Sequence, residues 1–66
     1  MNLNKLKGKM VEHEKDAVWL ADILGISRAS VYRKFNDFET FTIGDALKIK
    51  QALPLSDADA IDIFLS

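Results

Sequence analysis

AVWLADILGISRASVYRKFN, residues 17–36, decides the fold of this 66-residue chain, because its pattern predicts two short helices joined by a tight turn. Asp16 precedes the first helix, 17–24, as a suitable N-cap, and Ser27 precedes the second, 28–36, in the same way. Such residues accept hydrogen bonds from the free N–H groups of a helix start. The two helices are therefore expected to begin at defined positions.

Three small or apolar residues in this stretch predict how its helices pack. Gly25 ends the first helix, because glycine adopts the left-handed conformation at little cost. Ala21 suits a close approach of the two helices, and Val31, ten residues later, is expected to dock the second helix. The other inward positions are Leu20, Leu24, Ile26 and Phe35. This spacing predicts a helix-turn-helix, a unit that places its second helix in the major groove of DNA.

Helical periodicity continues on both sides of this unit. It predicts a first helix over roughly 3–13, with Leu3, Leu6, Met10 and Val11 as its apolar residues. After a loop over 37–41, Thr42 and Asp45 resemble a capping box for a helix over 43–53, which Pro54 stops. Ser56 starts a fifth helix whose apolar residues are Ala58, Ile61, Phe64 and Leu65. The sequence predicts one all-α domain over 1–66, a compact bundle of about five short helices.

Composition excludes several classes of protein. Hydrophobic residues make up 48% of a chain with three glycines and one proline, which favours an ordered domain over disorder. The absence of cysteine rules out disulfides and thiolate zinc sites. Apolar runs are too short for a membrane span or signal peptide, so a cytoplasmic, nucleoid-associated bacterial protein without membrane partners is expected.

The net charge of −1 divides unevenly along the chain. Residues 1–36 hold seven lysines and arginines against four acids, whereas residues 37–66 hold two lysines against six acids. This difference predicts one face that approaches phosphates and another that is turned away from them.

The outward face of the helix over 28–36 carries side chains that suit the edges of bases. Arginine can donate two hydrogen bonds to guanine, asparagine can pair with adenine, and alanine can contact the thymine methyl group. The expected base contacts are Arg28, Ala29, Tyr32, Arg33 and Asn36. The expected phosphate contacts are Lys5, Lys7, Lys15, Ser27, Ser30 and Lys34. The competing interpretation is that Arg28, Arg33 and Lys34 only solvate an exposed helix.

The segment LADILGISRASVYRKFN, followed by FT, DALKIKQAL and the closing IDIFLS, resembles the lambda repressor and Cro-like superfamily. It is most similar to small phage and prophage regulators of Gram-positive bacteria. The resemblance implies a five-helix bundle, operator binding, often as a dimer on a palindrome, and transcription regulation, typically repression. It also implies the five base-contacting positions named above.

Two features depart from that family pattern. The family commonly has glutamine where the second helix opens, and this chain has Ala17. The family's loop after the DNA-reading helix is usually glycine-rich and basic, whereas this chain has Asp37, Phe38 and Glu39. Two acids beside a DNA backbone repel phosphate, which predicts weak binding, high salt sensitivity, or a module that has partly lost its DNA-binding role.

Catalysis and metal binding have no support in the sequence. His13 has no second histidine or cysteine at ligand spacing, and its neighbours Glu12 and Glu14 are expected to be solvated. The carboxylates accompany no nucleophile or glycine-rich loop. We expect no enzyme activity, metal, cofactor or small-molecule ligand.

Aromatic residues outside the DNA-facing helix suggest partner surfaces. Trp19 either packs over the edge of the first helix or contacts a partner, and Phe38 and Phe64 raise the same alternatives. Because Ile61, Phe64 and Leu65 cannot all face inward on a short helix, at least one should be exposed, as in a homodimer. The competing function is a protein-interaction module, such as an antitoxin or anti-repressor, that uses this fold without DNA.

Overall fold

Five α-helices and a short 3₁₀ helix account for the ordered structure of residues 2–65, the part of the chain that this computed structural model describes. The helices are α1, Leu3–Glu12; α2, Ala17–Leu24; α3, Arg28–Asn36; α4, Ile43–Ala52; and α5, Asp57–Phe64, with the 3₁₀ helix at Phe38–Thr40. These bounds confirm the all-α class.

The turn between α2 and α3 has the geometry expected from its residues. Asp16 Oδ1 accepts a hydrogen bond from the N–H of Trp19 at 3.0 Å. Gly25 adopts a left-handed conformation with φ of +68°, where a side chain would be strained. Ser27 Oγ accepts from the N–H of Ser30 at 3.2 Å and begins α3. Local caps therefore fix the ends of both helices.

The later helices also begin at predicted caps. Thr42 Oγ1 accepts from the N–H of Asp45 at 3.0 Å, while Asp45 Oδ2 accepts from the N–H of Thr42 at 3.1 Å. This reciprocal pair completes a capping box at α4 with Asp in place of Glu. Ser56 Oγ caps α5 by accepting from the N–H of Asp59 at 3.1 Å.

The core draws on every helix, and its Cα radius of gyration is 10.6 Å, close to the ~11 Å usual for a chain of this length. Its fully enclosed members are Leu6, Leu20, Val31, Ile49, Leu53 and Ile63. No helix within residues 2–65 combines the length and apolar character needed to cross a membrane.

Two helices bury only part of the apolar sets that the sequence assigns to them. In α1, Leu6 and Met10 are buried, whereas Val11 is 75% exposed. In α5 the buried residues are Phe64 and Ile63, of which the sequence predicts only Phe64, while Ala58 and Ile61 are exposed. The carbonyl of Ile63 accepts the N–H of Asn2 at 2.7 Å, so contact with the start of α1 fixes how α5 is rotated.

Candidate nucleic-acid interface

The outer face of α3 presents all five predicted base-contacting side chains to solvent: Arg28, Ala29, Tyr32, Arg33 and Asn36. The opposite face explains this orientation, because Val31 is fully buried and Phe35 packs against the core. The Tyr32 ring meets the Phe35 ring edge-on, with centroids 6.3 Å apart. This contact holds Tyr32 at the border between core and exposed face.

Both arginines of this face are outside the ion pairs formed among residues 2–65. Arg33 Nη2 donates a hydrogen bond to Ser30 Oγ at 2.9 Å. A guanidinium has five N–H donors, so this bond leaves enough donors for a bidentate contact. The charges of Arg28 and Arg33 are thus available to an anionic partner.

The acids that follow α3 do not neutralise these arginines. Asp37 instead caps the 3₁₀ helix, with its Oδ1 accepting from the N–H of Glu39 at 3.3 Å. Both acidic residues are exposed at the carboxyl end of α3. Their charges therefore oppose phosphate at this end of the face and favour contact near its amino end.

Two of the predicted phosphate-binding lysines are held against aromatic rings. Lys7 Nζ lies 5.2 Å from the ring centroid of Phe35, and Lys15 Nζ lies 5.6 Å from that of Trp19. Neither lysine belongs to an ion pair within the described chain. Cation–π contacts at exposed sites are weak, so both ammonium groups remain able to contact phosphate.

The structure does not support phosphate contacts at Lys5, because its ammonium group is already held by two carboxylates of α5. Its Nζ lies 2.7 Å from Asp62 Oδ2 and 3.3 Å from Asp59 Oδ1. The hydrogen bond with Asp62 raises the pKa of Lys5. Hydrogen bonds from Lys5 and Lys9 lower the pKa of Asp59. This network joins α1 to α5, a contact that sequence spacing does not reveal.

The structure also does not support the predicted phosphate contact at Lys34, because this side chain binds other groups of the protein. Its Nζ donates to the carbonyl of Thr40 at 2.8 Å and to Asp45 Oδ2 at 3.0 Å, and it lies 5.5 Å from the Phe41 ring centroid. The side chains of Lys34 and Asp45 are only 17% and 16% exposed. Lys34 therefore ties α3 to α4 rather than projecting toward a ligand.

The two serines near the amino end of α3 form a connected pair. Ser27 donates its hydroxyl to Ser30 Oγ at 3.0 Å while it caps the helix. Because Ser30 Oγ accepts from both Ser27 and Arg33, its own hydroxyl hydrogen is left for another acceptor. A phosphate oxygen would satisfy that donor.

The three aromatic residues considered for a partner surface, Trp19, Phe38 and Phe64, are each partly or largely buried. Phe64 is 8% exposed, and its ring packs against those of Phe38 and Phe41. Phe38 is half-buried, with its centroid 4.8 Å from that of Phe41. Trp19 also packs against the core. Phe64 therefore exposes little surface of its own, although it lines the groove between α4 and α5, and the other two rings are partly buried.

The apolar surface that sequence reasoning missed is a groove of about 250 Å³ between α4 and α5. Its exposed walls are formed by aliphatic side chains, of which Ile43 is 83% and Leu65 is 78% exposed. Leu47 and Ile61 complete these walls, each more than half exposed. Spacing of three and four residues from Ile43 to Ala46 and Leu47 was the available signal. Exposure of Ile61 and Leu65 agrees with the expectation that α5 cannot bury all its apolar residues.

Comparisons of the chain with models of protein families, with curated proteins and with solved structures find no match.

Proposed function

We propose that this protein is a sequence-specific DNA-binding transcription regulator that inserts α3 into the major groove. The observation that carries the proposal is the exposed face of α3, on which Arg28 and Arg33 stand outside every ion pair of the described chain. The resemblance of residues 17–36 to lambda repressor and Cro-like proteins supports the same function, with a phage-type repressor as the specific form.

The distribution of ion pairs favours a nucleic-acid ligand at α3 over general solvation. Lys5, Lys9, Lys34 and Lys50 are each neutralised by a carboxylate. The cations left unpaired include both arginines of α3. Within residues 2–65, Lys7 is also unpaired and contacts Phe35 of α3, while unpaired Lys15 and Lys48 lie elsewhere. Internal pairing thus leaves most of the available positive charge on or beside α3, although the whole chain has a net charge of −1.

The side chains of this face suggest distinct roles in a complex. Arg33 suits a bidentate contact with guanine O6 and N7, and Asn36 suits adenine N6 and N7. Ala29 suits a thymine methyl group. Lys7, Lys15, Ser27 and Ser30 form the revised set of proposed phosphate contacts.

We propose further that two copies bind a palindromic operator, with half-sites about 34 Å apart. The groove between α4 and α5 is the proposed contact between copies, since it shares no residue with α3 and leaves both DNA-facing helices free. Lys50, which lines the groove, forms an ion pair with Asp57 at 3.0 Å. These two opposite charges are able to pair across a two-fold axis as well as within one copy.

Selection of duplexes from a random pool tests the proposed function. The wild-type protein should enrich one motif, and Arg33→Ala should lose preference at one base pair, at a cost of about 1–3 kcal/mol in discrimination. Lys48→Ala is the matched control, because Lys48 is an exposed cation that belongs to α4 rather than to α3. An unenriched pool, or equal preference loss in both variants, would overturn the proposal.

The exposed α4–α5 groove favours a second function, a protein-interaction module that does not bind DNA. Leu47→Glu separates the two functions, because Leu47 lines the groove and is more than half exposed. A regulator whose copies meet at the groove should bind a palindrome less tightly but keep its affinity for one half-site. If the wild-type protein binds no duplex, and if Leu47→Glu abolishes its binding to a protein partner, the interaction module would be favoured.

A further inference from the structure

Three residues spaced by three form a hydrogen-bonded chain along the outer side of α3. Ser27 donates to Ser30 Oγ at 3.0 Å, and Arg33 Nη2 donates to the same oxygen at 2.9 Å. Ser27 Oγ is itself held by the N–H of Ser30 at 3.2 Å. The guanidinium of Arg33 is therefore linked to the helix cap through one hydroxyl oxygen.

This link brings the guanidinium toward the amino end of α3. Long side chains on helices point back over the preceding turn, and the bond to Ser30 selects such an orientation for Arg33. The amino-terminal residues of a groove-binding helix are those that contact base edges. Although Arg33 belongs to the second half of α3, its charged head is held toward the end that carries Arg28 and Ala29.

The bond to Ser30 leaves the guanidinium able to recognise a base. It occupies one N–H of Nη2, and a contact with guanine needs two of the four that remain. A side chain held in one orientation before binding loses less freedom when it meets its ligand. The bond to Ser30 therefore favours one orientation of the Arg33 side chain over others.

We propose that Ser30 is a positioning residue that orients Arg33 and so sets which base pair Arg33 discriminates. This inference rests on the proposed DNA-binding function, and it assigns to Ser30 a role beyond that of a phosphate contact. A phosphate contact alone affects all sequences equally, whereas positioning affects one base pair.

Ser30→Ala tests the proposal, with Ser30→Thr as the matched variant that keeps a hydroxyl. Preference at the base pair lost in Arg33→Ala should fall by about twofold to tenfold in Ser30→Ala, the range expected from ordering one long side chain. Ser30→Thr should restore it. Ser27→Ala should lower the thermal midpoint through loss of the cap but preserve the base preference, because the bond between Ser30 and Arg33 remains.

A measurement on the free protein separates failure of this inference from failure of DNA binding. Nitrogen-15 relaxation of Arg33 Nε should report a restricted side chain in wild type and in Ser30→Thr, and a mobile one in Ser30→Ala. Equal mobility in all three proteins would overturn the inference whatever the DNA result. An Arg33-dependent preference that Ser30→Ala leaves intact would also overturn it, while leaving the proposed function in place.

Discussion

Lys34→Met distinguishes a structural lysine from one that binds DNA. The Lys34 ammonium group donates to Thr40 O at 2.8 Å and to Asp45 Oδ2 at 3.0 Å, with both charged side chains less than one-fifth exposed. Methionine keeps most of the apolar stem but cannot make either bond. We therefore expect the substitution to weaken the connection between α3 and α4.

The structure gives the size of the expected loss. A hydrogen bond that involves a charged group contributes about 1.5–3 kcal/mol, and Asp45 keeps its second bond, from the N–H of Thr42. Because partial exposure reduces the contribution of each bond, we expect a total loss of about 2 kcal/mol. For a domain of this size, that lowers the thermal midpoint by about 8–16 °C.

Urea denaturation followed by fluorescence of Trp19, the chain's one tryptophan, measures this loss. Lys48→Met removes the same charge from an exposed site without an ion pair in residues 2–65, so it should change the free energy of unfolding by less than about 0.5 kcal/mol. The salt dependence of DNA binding should stay the same in Lys34→Met. Unchanged stability, together with a log–log salt slope reduced by about 0.9, would show that Lys34 contacts phosphate and would refute this reasoning.

Substitutions at four other residues test contacts elsewhere in the molecule. Combined Lys7→Gln and Lys15→Gln should reduce the magnitude of the log–log salt slope by about 1.8 per domain, as measured by fluorescence anisotropy of a labelled duplex; an unchanged slope would place the phosphate contacts elsewhere. Ala21→Leu should lower the free energy of unfolding in urea by about 1–3 kcal/mol, because Ala21 is 6% exposed within a small core; a stable, DNA-competent variant would contradict the close approach of the helices. Two lysines of α1 hold the pKa of Asp59 below its ordinary value, so its stabilising contribution is present above about pH 4 and is lost as the pH falls through the folded-state pKa. Asp59→Asn should therefore reduce the acid dependence of stability below about pH 4, and an unchanged acid profile would exclude this ion pair as its source.

Local features of the fold were predictable because short-range hydrogen bonds determine them. Asp16, Ser27, Thr42 and Ser56 cap the helices that the sequence assigns to them, and Gly25 has the left-handed backbone that the turn requires. Each of these contacts spans three residues or fewer. The exposed face of α3 was also predictable, because the burial of one residue, Val31, determines which side of a short helix faces the core.

The features that sequence reasoning missed depend on contacts between distant residues. Lys5 and Asp62 are 57 positions apart, so no local pattern indicates that they pair. The last helix has apolar residues on nearly every side, and only its packing against α1, α4 and the rings of Phe38 and Phe41 selects Ile63 and Phe64 for burial. For the same reason, the exposed groove at Leu47 and Ile61 could not be located before the helices were assembled.

Amide chemical-shift mapping with a selected half-site duplex tests the central proposal most directly. If α3 enters the major groove, saturable shifts should concentrate on residues 27–36 and on the amides around Lys7 and Lys15. The groove residues Leu47 and Ile61 should shift little when one domain binds one half-site. Saturable shifts confined to α4 and α5, or the absence of saturable shifts with every selected duplex, would contradict the account.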